Sequence, residues 1–240
     1  PAWLDLVDAK GVTLRQAMTD AGLDPAAVGS AATDPKRIKH YFEVHIEQGP
    51  VLLDAGLALG VVTSIAGSMR RKLLLNGRAS HAGTTPMPMR RDAACAAAEI
   101  TLYVEERCKQ AETLVGTVGM LEVPSASVNV IPGACRMSLD IRAADDATRD
   151  AAVADVERKI DEICARRNIA IEDTQPAWSV AAAPCSPEHR ATWRAVLAEL
   201  GQPQFELPSG AGHDAKILED VAPVSMLFTR CGNGGISHNP

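Results

Sequence analysis

The 240-residue sequence contains no run of about 20 apolar residues, so it offers no segment suited to cross a membrane as a helix. Its six cysteines are scattered, with no CxxC pair and no dense framework, a pattern typical of the reduced thiols of a cytosolic protein. It also lacks extended basic clusters, and its net charge of -6 argues against a nucleic-acid surface. We therefore expect a cytoplasmic protein whose partners are neither membranes nor nucleic acids.

Hydrophobic residues make up 46% of the chain, which is enough to bury a sizeable core in one large domain or two small ones. Apolar residues recur at helical spacing from Asp92 to Ala111 and again from Asp146. Between these helices, the residues from Cys135 to Ile141 alternate between apolar and polar, as in a strand. Further strand patterns lie at 73–75, 114–123 and 169–171. The order is β-α-β-β-α-β, the split βαβ arrangement of ferredoxin-like domains, which leaves one sheet face without helices.

The segments on either side of this unit have the pattern of a different domain. Residues 41–62 follow strand, helix and strand patterns, and residues 187–240 follow helix, helix and strand patterns. Such pieces come together when one domain is inserted into another, because the ends of an insert lie close in space. We therefore predict an α/β fold in which residues 67–179 are inserted between two parts of one domain, 1–66 and 180–240.

The sequence His45-Ile46-Glu47-Gln48-Gly49-Pro50 carries the clearest sign of chemistry. From Tyr41 to Ile46 the residues alternate, so that His45 belongs to the polar face of a strand. A Gly-Pro pair ends this strand, and a short helix through Leu53 follows. Side chains at such a turn meet above a sheet edge, where open α/β sheets usually bind ligands. Taken alone, however, one histidine beside two glutamates is more often a surface residue than a metal ligand.

Four other segments concentrate polar residues in turns rich in glycine or proline. They are GRASHAGTTP (77–86), SVNVIPG (127–133), SGAGHDA (209–215) and GGISHNP (234–240). Each has a plainer explanation, because glycine-rich turns mostly serve backbone geometry and a histidine such as His81 or His213 can simply cap a helix or a loop. No Gly-Lys-Ser or Gly-Lys-Thr follows the glycines, as a phosphate loop would require. Nothing marks Ser80 or Ser237 as a nucleophile, which would need a base and an orienting group.

Taken in order, HIEQGP, GRASHAGTTPM, VNVIPG, SGAGHDA and GISHNP closely resemble the hydantoinase/carbamoylase family of metal-dependent amidohydrolases. This family includes N-carbamoyl-L-amino-acid hydrolases, ureidopropionases and allantoate amidohydrolases, and the resemblance runs from about Trp3 to Pro240. It implies part of an open α/β catalytic domain with an inserted ferredoxin-like domain that forms a homodimer. It also implies two divalent ions, for which zinc, manganese and nickel are all suited to imidazole ligands.

The resemblance implies roles for individual residues. His45 and His238 would be ligands of the two-metal centre. Gln48 would line the substrate pocket, and His213 would be another residue of that pocket. The water that attacks the substrate would be activated by the two metals, with a glutamate as general base.

Three further residues would act on the substrate from the inserted domain. His81 would reach the active site of a neighbouring subunit and stabilise the oxyanion there. Asn129 and Arg142 would hold the substrate carboxylate. The position of Arg142 supports this role independently, because it lies on the polar face of its strand and a guanidinium fork suits a carboxylate.

The sequence departs from the family pattern in its first part. The family carries a His-x-Asp motif, a bridging Asp and a Glu-Glu pair that supplies both the base and a ligand, and none of these occurs before His45. The chain also stops at SHNP (237–240), before a last helix that the family would have. Two candidate ligands, His45 and His238, cannot close a two-metal site. The resemblance is thus to an N-terminally truncated member, and we expect an incomplete or empty metal site and no hydrolysis by this chain alone.

Two alternatives stay open at this point. An aminoacylase or dipeptidase of the same fold is the nearest rival, although the HIEQGP and GISHNP sequences favour the carbamoylase side. The chain could instead be a dimerisation module without catalysis. The sequence does not decide between allantoate and N-carbamoyl amino acids, nor does it identify the metal.

Overall fold

A computed structural model describes residues 2–232. Its backbone divides into two compact units, Pro1–Lys39 and His40–Pro240. The first unit contains one α-helix, α1 (Leu14–Asp20), which the hydroxyl of Thr13 caps by accepting a hydrogen bond from the Gln16 N–H. Three short 3-10 helices accompany it: Ala2–Asp5, Pro25–Ala31 and Pro35–Arg37.

The second unit contains all the strands. In chain order they are β1 (Tyr41–Ile46), β2 (Leu59–Ile65), β3 (Gly67–Asn76), β4 (Ser80–His81), β5 (Leu114–Thr117), β6 (Leu121–Glu122), β7 (Val130–Ile131), β8 (Ala134–Ala143), β9 (Ala170–Asp173), β10 (Trp178–Val180), β11 (Ala183–Pro184), β12 (Glu206–Ser209) and β13 (Val224–Thr229). The helices are α2 (Val51–Asp54), α3 (Ala93–Cys108), α4 (Asp146–Arg167), α5 (Pro187–Glu199) and α6 (Asp214–Leu218), with a 3-10 turn at Met87–Met89.

Sheet I is formed by the segments that flank the central part of the sequence. Its strand order is β1-β13-β2-β11, and β12 also pairs with β2. The parallel pairing of β1 with β13 places His45 opposite Phe228. Strands from the two flanking segments therefore pair in one sheet. Their core is small and includes Leu52, Ile65, Met226 and Phe228.

Sheet II is formed by the central part of the sequence. Its order is β10-β3-β8-β5, with β9 also paired to β3 and β6 to β8, and all these pairs are antiparallel. Helices α3 and α4 pack together against it and share one large apolar core with it. Each helix begins at an aspartate that caps it, Asp92 for α3 and Asp145 for α4. The α/β class is confirmed, whereas residues 67–179 as an inserted ferredoxin-like domain and their role in dimerisation stay predictions.

Two predicted elements differ in detail. The single strand predicted over 114–123 is divided into β5 and β6. Between them, the Met120 N–H donates a hydrogen bond to the Ser138 hydroxyl, and the Ser138 N–H donates to the Met120 carbonyl. These bonds keep the segment beside β8, although the regular strand pairing is interrupted there. Apolar spacing in the sequence predicts a helix over Arg190–Leu200. Helix α5 begins earlier, at Pro187, because Ser186 caps it and proline suits the first helical position.

The apolar face of β1 is the exposed one, which is the reverse of what its hydrophobicity predicts. The apolar side chains of Phe42, Val44 and Ile46 are 47%, 61% and 38% exposed. The polar face, with Tyr41, Glu43 and His45, is the inner one. His45 is on the polar face as predicted, and that face points into the protein.

Within the part of the chain that the structure describes, no helix is both long and apolar enough to span a membrane. All six cysteines fall within this part, and four of them are buried.

Candidate metal centre and adjoining cleft

The HIEQGP turn is shaped by Glu47. Its buried carboxylate accepts hydrogen bonds from the backbone N–H groups of Val51 (2.7 Å) and Leu52 (2.9 Å), which are the unpaired donors at the start of α2. Gln48 adopts a left-handed conformation with φ of 56°. A Cβ at residue 49 would lie 2.7 Å from Glu47 Oε1, so a larger residue than glycine there would displace this carboxylate. Sequence reasoning missed this role of Glu47, although an acidic residue just before a Gly-Pro helix start is a recognisable signal.

Three potential metal ligands converge on the inner face of β1. Glu43, His45 and His213 each offer one ligand atom, and these atoms all lie within 4.8 Å of one another. The rings of His45 and His213 are in edge-to-face contact, with centroids 4.7 Å apart. Glu43 and His45 share one face because they are two residues apart on a strand. His213 joins them from the SGAGHDA segment that follows β12. This is the one such group of three among residues 2–232.

Each member of this group also lies within hydrogen-bonding distance of a backbone group or a hydroxyl. The Nδ1 atom of His45 lies 2.7 Å from the carbonyl oxygen of Ile46. Glu43 Oε2 accepts a hydrogen bond from the Ala215 N–H (2.8 Å), while its Oε1 lies 3.5 Å from His213 Nδ1. The Nε2 atom of His213 lies 2.6 Å from the hydroxyl of Ser209. Glu43 and Ser209 were not recognised from the sequence, because neither belongs to a spacing pattern that marks a ligand.

The buried His213 imidazole is neutral at physiological pH. Burial, assisted by the nearby His45, lowers the pKa of His213 to about 4, against a smaller opposing effect of Asp214. The approach of His213 to Glu43 is therefore not an ion pair at pH 7. The Nδ1 atom of His213 is buried and has no hydrogen-bond partner among the described residues. A neutral imidazole nitrogen without a partner, facing a carboxylate, suits a divalent metal ion, so the residues present fit the cofactor that the sequence implies.

A cleft of about 690 Å³ lies beside the HIEQGP turn that follows His45. Its lining includes Glu47, Gln48 and Gly49 of the HIEQGP turn on one side and Arg142 of β8 on the other. Phe228 lies between the cleft and the cluster of Glu43, His45 and His213, because it lines the cleft and its ring centroid lies 5.7 Å from that of His213. Gln48 and Arg142 are thus brought to one cavity, as two residues that bind one substrate would be.

The guanidinium of Arg142 already holds a carboxylate of the protein. Its Nε and Nη2 donate to the two oxygens of Asp140, both at 2.7 Å, and its Nη1 donates to the Gly210 carbonyl at 2.7 Å. Asp140 also accepts a hydrogen bond from Arg70 (2.9 Å). This pairing raises the pKa of Arg142, mainly through the hydrogen bonds from Arg142 to Asp140. A substrate carboxylate would have to bind at the N–H groups that Asp140 and Gly210 leave free. Sequence reasoning recognised the arginine but not the carboxylate that fixes it.

His81 and Asn129 lie together on a separate ribbon. Strands β4 and β7 pair antiparallel, with His81 opposite Val130, and the Asn129 carbonyl accepts a hydrogen bond from Ala82. His81 is exposed, and its Nδ1 accepts a hydrogen bond from the Gly83 N–H (3.1 Å). A neutral His81 therefore carries its proton on Nε2. The described lining of the cleft includes neither His81 nor Asn129, and His238 lies outside the described residues.

Comparison with known proteins assigns the fold to a family. The sequence profile described as peptidase family M20/M25/M40 matches residues 14–240. The chain belongs to this family. M20 enzymes are hydrolases and in general depend on metal ions, which agrees with the cluster on β1.

Two named relatives align with nearly the whole length of this chain. It is 40% identical to an N-carbamoyl-L-amino acid amidohydrolase from Geobacillus stearothermophilus over 240 residues, covering 100% of this chain and 58% of that protein. It is 39% identical to allantoate deiminase 1 from Glycine max, covering 99% of this chain and 55% of that protein. A crystal structure of an amidase of the hydantoinase/carbamoylase family from Burkholderia multivorans superposes with a TM-score of 0.87 at 33% identity, covering 99% of this chain and 57% of that one. The chain thus spans a little more than half the length of these relatives.

Proposed function

We propose that this M20 chain is part of an amidohydrolase that hydrolyses the ureido C–N bond of N-carbamoyl-L-amino acids or of allantoate. The observation that carries the proposal is the adjacency of the metal-type cluster on β1 to the cleft that contains Gln48 and Arg142. The names of the two relatives above refer to these two substrate classes. Both substrates carry a carboxylate beside a ureido group, so both need an anion-binding residue within reach of the hydrolytic centre.

The residues of this chain would divide the work between binding and catalysis. His45 would hold one of two divalent ions, with His238 as a further ligand, and the ions when bound would supply an activated water and polarise the ureido carbonyl. Gln48 would orient the ureido group at the end of the cleft. Arg142, with Asn129, would hold the substrate carboxylate, and the bond to Asp140 keeps the guanidinium plane fixed before substrate arrives.

The reaction balances without an oxidant or a second substrate. Water adds to the ureido carbon, and the two C–N bonds are cleaved to give the free amine, carbon dioxide and ammonia. His81 would stabilise the oxyanion through its Nε2–H, the atom that its bond to Gly83 leaves protonated. His81 belongs to a ribbon of its own, which supports the proposal that it acts on a partner subunit of a homodimer.

The experiment is an assay of amine and ammonia release from N-carbamoyl-L-amino acids, allantoate, N-acetyl amino acids and a dipeptide. It should be made with the 240-residue chain and with a protein of the relatives' full length that contains it. We expect release from one of the first two substrates with the longer protein and none with the chain alone. Release from the acetyl amino acids or the dipeptide, but from neither ureido substrate, would refute the proposed substrate class.

Variants of the longer protein test the role of the arginine. Arg142→Ala should raise KM with a smaller change in kcat, because a guanidinium that holds the carboxylate in the ground state and the transition state contributes to binding. Arg136→Ala is the matched control, since Arg136 lies on the same face of β8 and pairs with Glu122 at an exposed site. An unchanged KM for Arg142→Ala would remove this residue from the binding site.

A further inference from the structure

The loop that follows β4 begins beside His81 and ends at Arg90. Its only regular element is the 3-10 turn Met87–Met89. The apolar side chains of this turn do not anchor the loop in a core, since Met87 and Met89 are 73% and 60% exposed. The shape of the loop therefore depends mainly on hydrogen bonds.

Backbone hydrogen bonds shape the first half of the loop. The Ala82 N–H donates to the Asn129 carbonyl at 2.9 Å, and the Thr85 N–H donates to the His81 carbonyl at 3.2 Å. The Gly83 N–H donates to the ring of His81 at Nδ1 (3.1 Å), and a Cβ on Gly83 would lie only 3.3 Å from His81 Cε1. Because His81 is exposed, the loop rather than burial sets the plane and the tautomer of its imidazole.

Arg90 holds this part of the loop from its far end. Its Nη2 donates to the Ala82 carbonyl at 2.6 Å, and its Nε donates to the Thr85 carbonyl at 3.1 Å. These two carbonyls lie on either side of Gly83 in the sequence. A guanidinium presents its donors in a rigid planar fork, so two bonds from one guanidinium fix the spacing of their acceptors. Arg90 therefore supports the segment that orients His81.

The bonds of Arg90 differ from those of Arg71 and Arg107, two other partly buried arginines. Arg71 pairs with Asp173 at 2.6 Å, and Arg107 pairs with Asp155 at 2.8 Å. Among residues 2–232, Arg90 donates to the two backbone carbonyls and forms no ion pair with an acidic side chain. The contribution of Arg90 is therefore the shape that its hydrogen bonds give to the loop.

We propose that Arg90 is a positioning residue for His81. By holding the Ala82 and Thr85 carbonyls, it keeps the Gly83 N–H on Nδ1 of His81 and so keeps the imidazole proton on Nε2. The inference rests on the proposed function only for the use of that proton, which is to stabilise an oxyanion. The effect of Arg90 on the ring is measured without substrate, so it can fail or hold independently of hydrolysis.

The first measurement is the tautomer of His81 in the 240-residue chain, read from imidazole ¹H–¹⁵N spectra at alkaline pH. We expect the parent chain to hold the Nε2–H tautomer almost alone. Arg90→Met removes both hydrogen bonds and should shift His81 toward the tautomer mixture of an unstructured histidine. Arg91→Met is the matched control and should keep the parental tautomer, because Arg91 is exposed and its bond to Arg78 is made by the backbone.

The second measurement is hydrolysis of a ureido substrate by a protein of the relatives' full length. Arg90→Met should lower kcat on the order of 10- to 100-fold with little change in KM, since a small misplacement of a catalytic group costs up to about 100-fold. In a His81→Ala background Arg90→Met should cause no further loss, because residues that act as one unit are not additive. If the longer protein hydrolyses neither ureido substrate, the proposed function fails and the tautomer still decides the role of Arg90.

Three outcomes would overturn the proposal. They are a parental His81 tautomer in Arg90→Met, an equal change of tautomer in Arg91→Met, and an undiminished loss of kcat from Arg90→Met in the His81→Ala background. Because Arg90→Met can disturb more of the loop than these two bonds, the parent chain provides a further measurement. The Nε–H of Arg90 should exchange with water more slowly than that of Arg91, and equal exchange rates would overturn the proposal.

Discussion

Strands β8 and β1 have the same alternation of apolar and polar residues but opposite burial. In β8 the apolar residues, such as Met137 and Leu139, are buried under α3 and α4, and the polar residues face the open side of sheet II. In β1 the apolar residues are exposed and the polar residues face inward. Burying a carboxylate and an imidazole opposes folding unless other interactions compensate. A strand that does so beside a third potential metal ligand is where function is expected to override local folding rules.

The largest predicted effect is on the free energy of unfolding, and it differs between the two strands. Leu139→Ala in β8 should lower the free energy of unfolding by about 2 to 5 kcal/mol, because it leaves a cavity in a close-packed core. Val44→Thr in β1, which keeps the β-branched shape, should change it by no more than about 0.5 kcal/mol, since Val44 is 61% exposed. Urea unfolding of both variants measures the difference. A loss at Val44 as large as that at Leu139 would show that the apolar face of β1 is buried in solution.

A smaller effect is expected at the turn that follows β1. Glu47→Ala should lower the free energy of unfolding by about 1 to 3 kcal/mol, because it leaves the Val51 and Leu52 N–H groups without their charged acceptor. Glu47→Gln keeps an oxygen acceptor and should recover part of the loss. Glu122→Ala, at an exposed pair with Arg136, is the control and should have little effect in the same urea titration. Equal values for Glu47→Ala and Glu122→Ala would remove the capping role.

The smallest effect concerns the polar face of β8. Burial raises the pKa of Asp140, but hydrogen bonds and charges from Arg142 and Arg70 outweigh it and hold the pKa below its usual value of 3.8. A lowered pKa in the folded state stabilises the protein above the unfolded pKa, and this stability is lost as the pH falls through the folded pKa.

Asp140→Asn should therefore cost about 1 kcal/mol or less at pH 6. The difference from the parent should shrink as the pH falls below about 4, where Asp140 of the unfolded chain becomes protonated. Urea unfolding at pH 6, 5, 4 and 3 measures this. A difference that grows toward pH 3 would have the wrong sign for a carboxylate whose folded pKa is lowered.

Much of the fold could be predicted from local pattern. The alternation from Cys135 to Ile141 identified the buried face of β8 because α3 and α4 cover that face. The helix starts predicted near Asp92 and Asp146 agree with the observed starts at Ala93 and Asp146. The same reasoning identified the polar face of β1 but not which face is buried. The burial of the polar face depends on contacts with His213, which is 168 residues away from His45 in sequence. The pairing of β1 with β13 and the packing of α6 bring His213 to β1.

The motifs that contain the candidate site residues could be recognised in the sequence, but the arrangement of these residues in space could not. His45, Gln48 and Arg142 belong to segments that sequence reasoning singled out, and the last two do line one cleft. Asp140 and Ser209 could not be assigned in this way, because each acts by a hydrogen bond to a candidate residue and carries no spacing signal of its own. The role proposed for His81 needs a second subunit, whose position no single-chain pattern contains.

The central claim is that the inner, polar face of β1 is a metal site, and one spectrum tests it most directly. The imidazole ¹⁵N signals of the 240-residue chain should be recorded before and after one equivalent of Zn²⁺. The account predicts that the signals of His45 and His213 shift, while those of His40, His81 and His189 stay in place. Unchanged signals for His45 and His213, or equal shifts for all five, would contradict it.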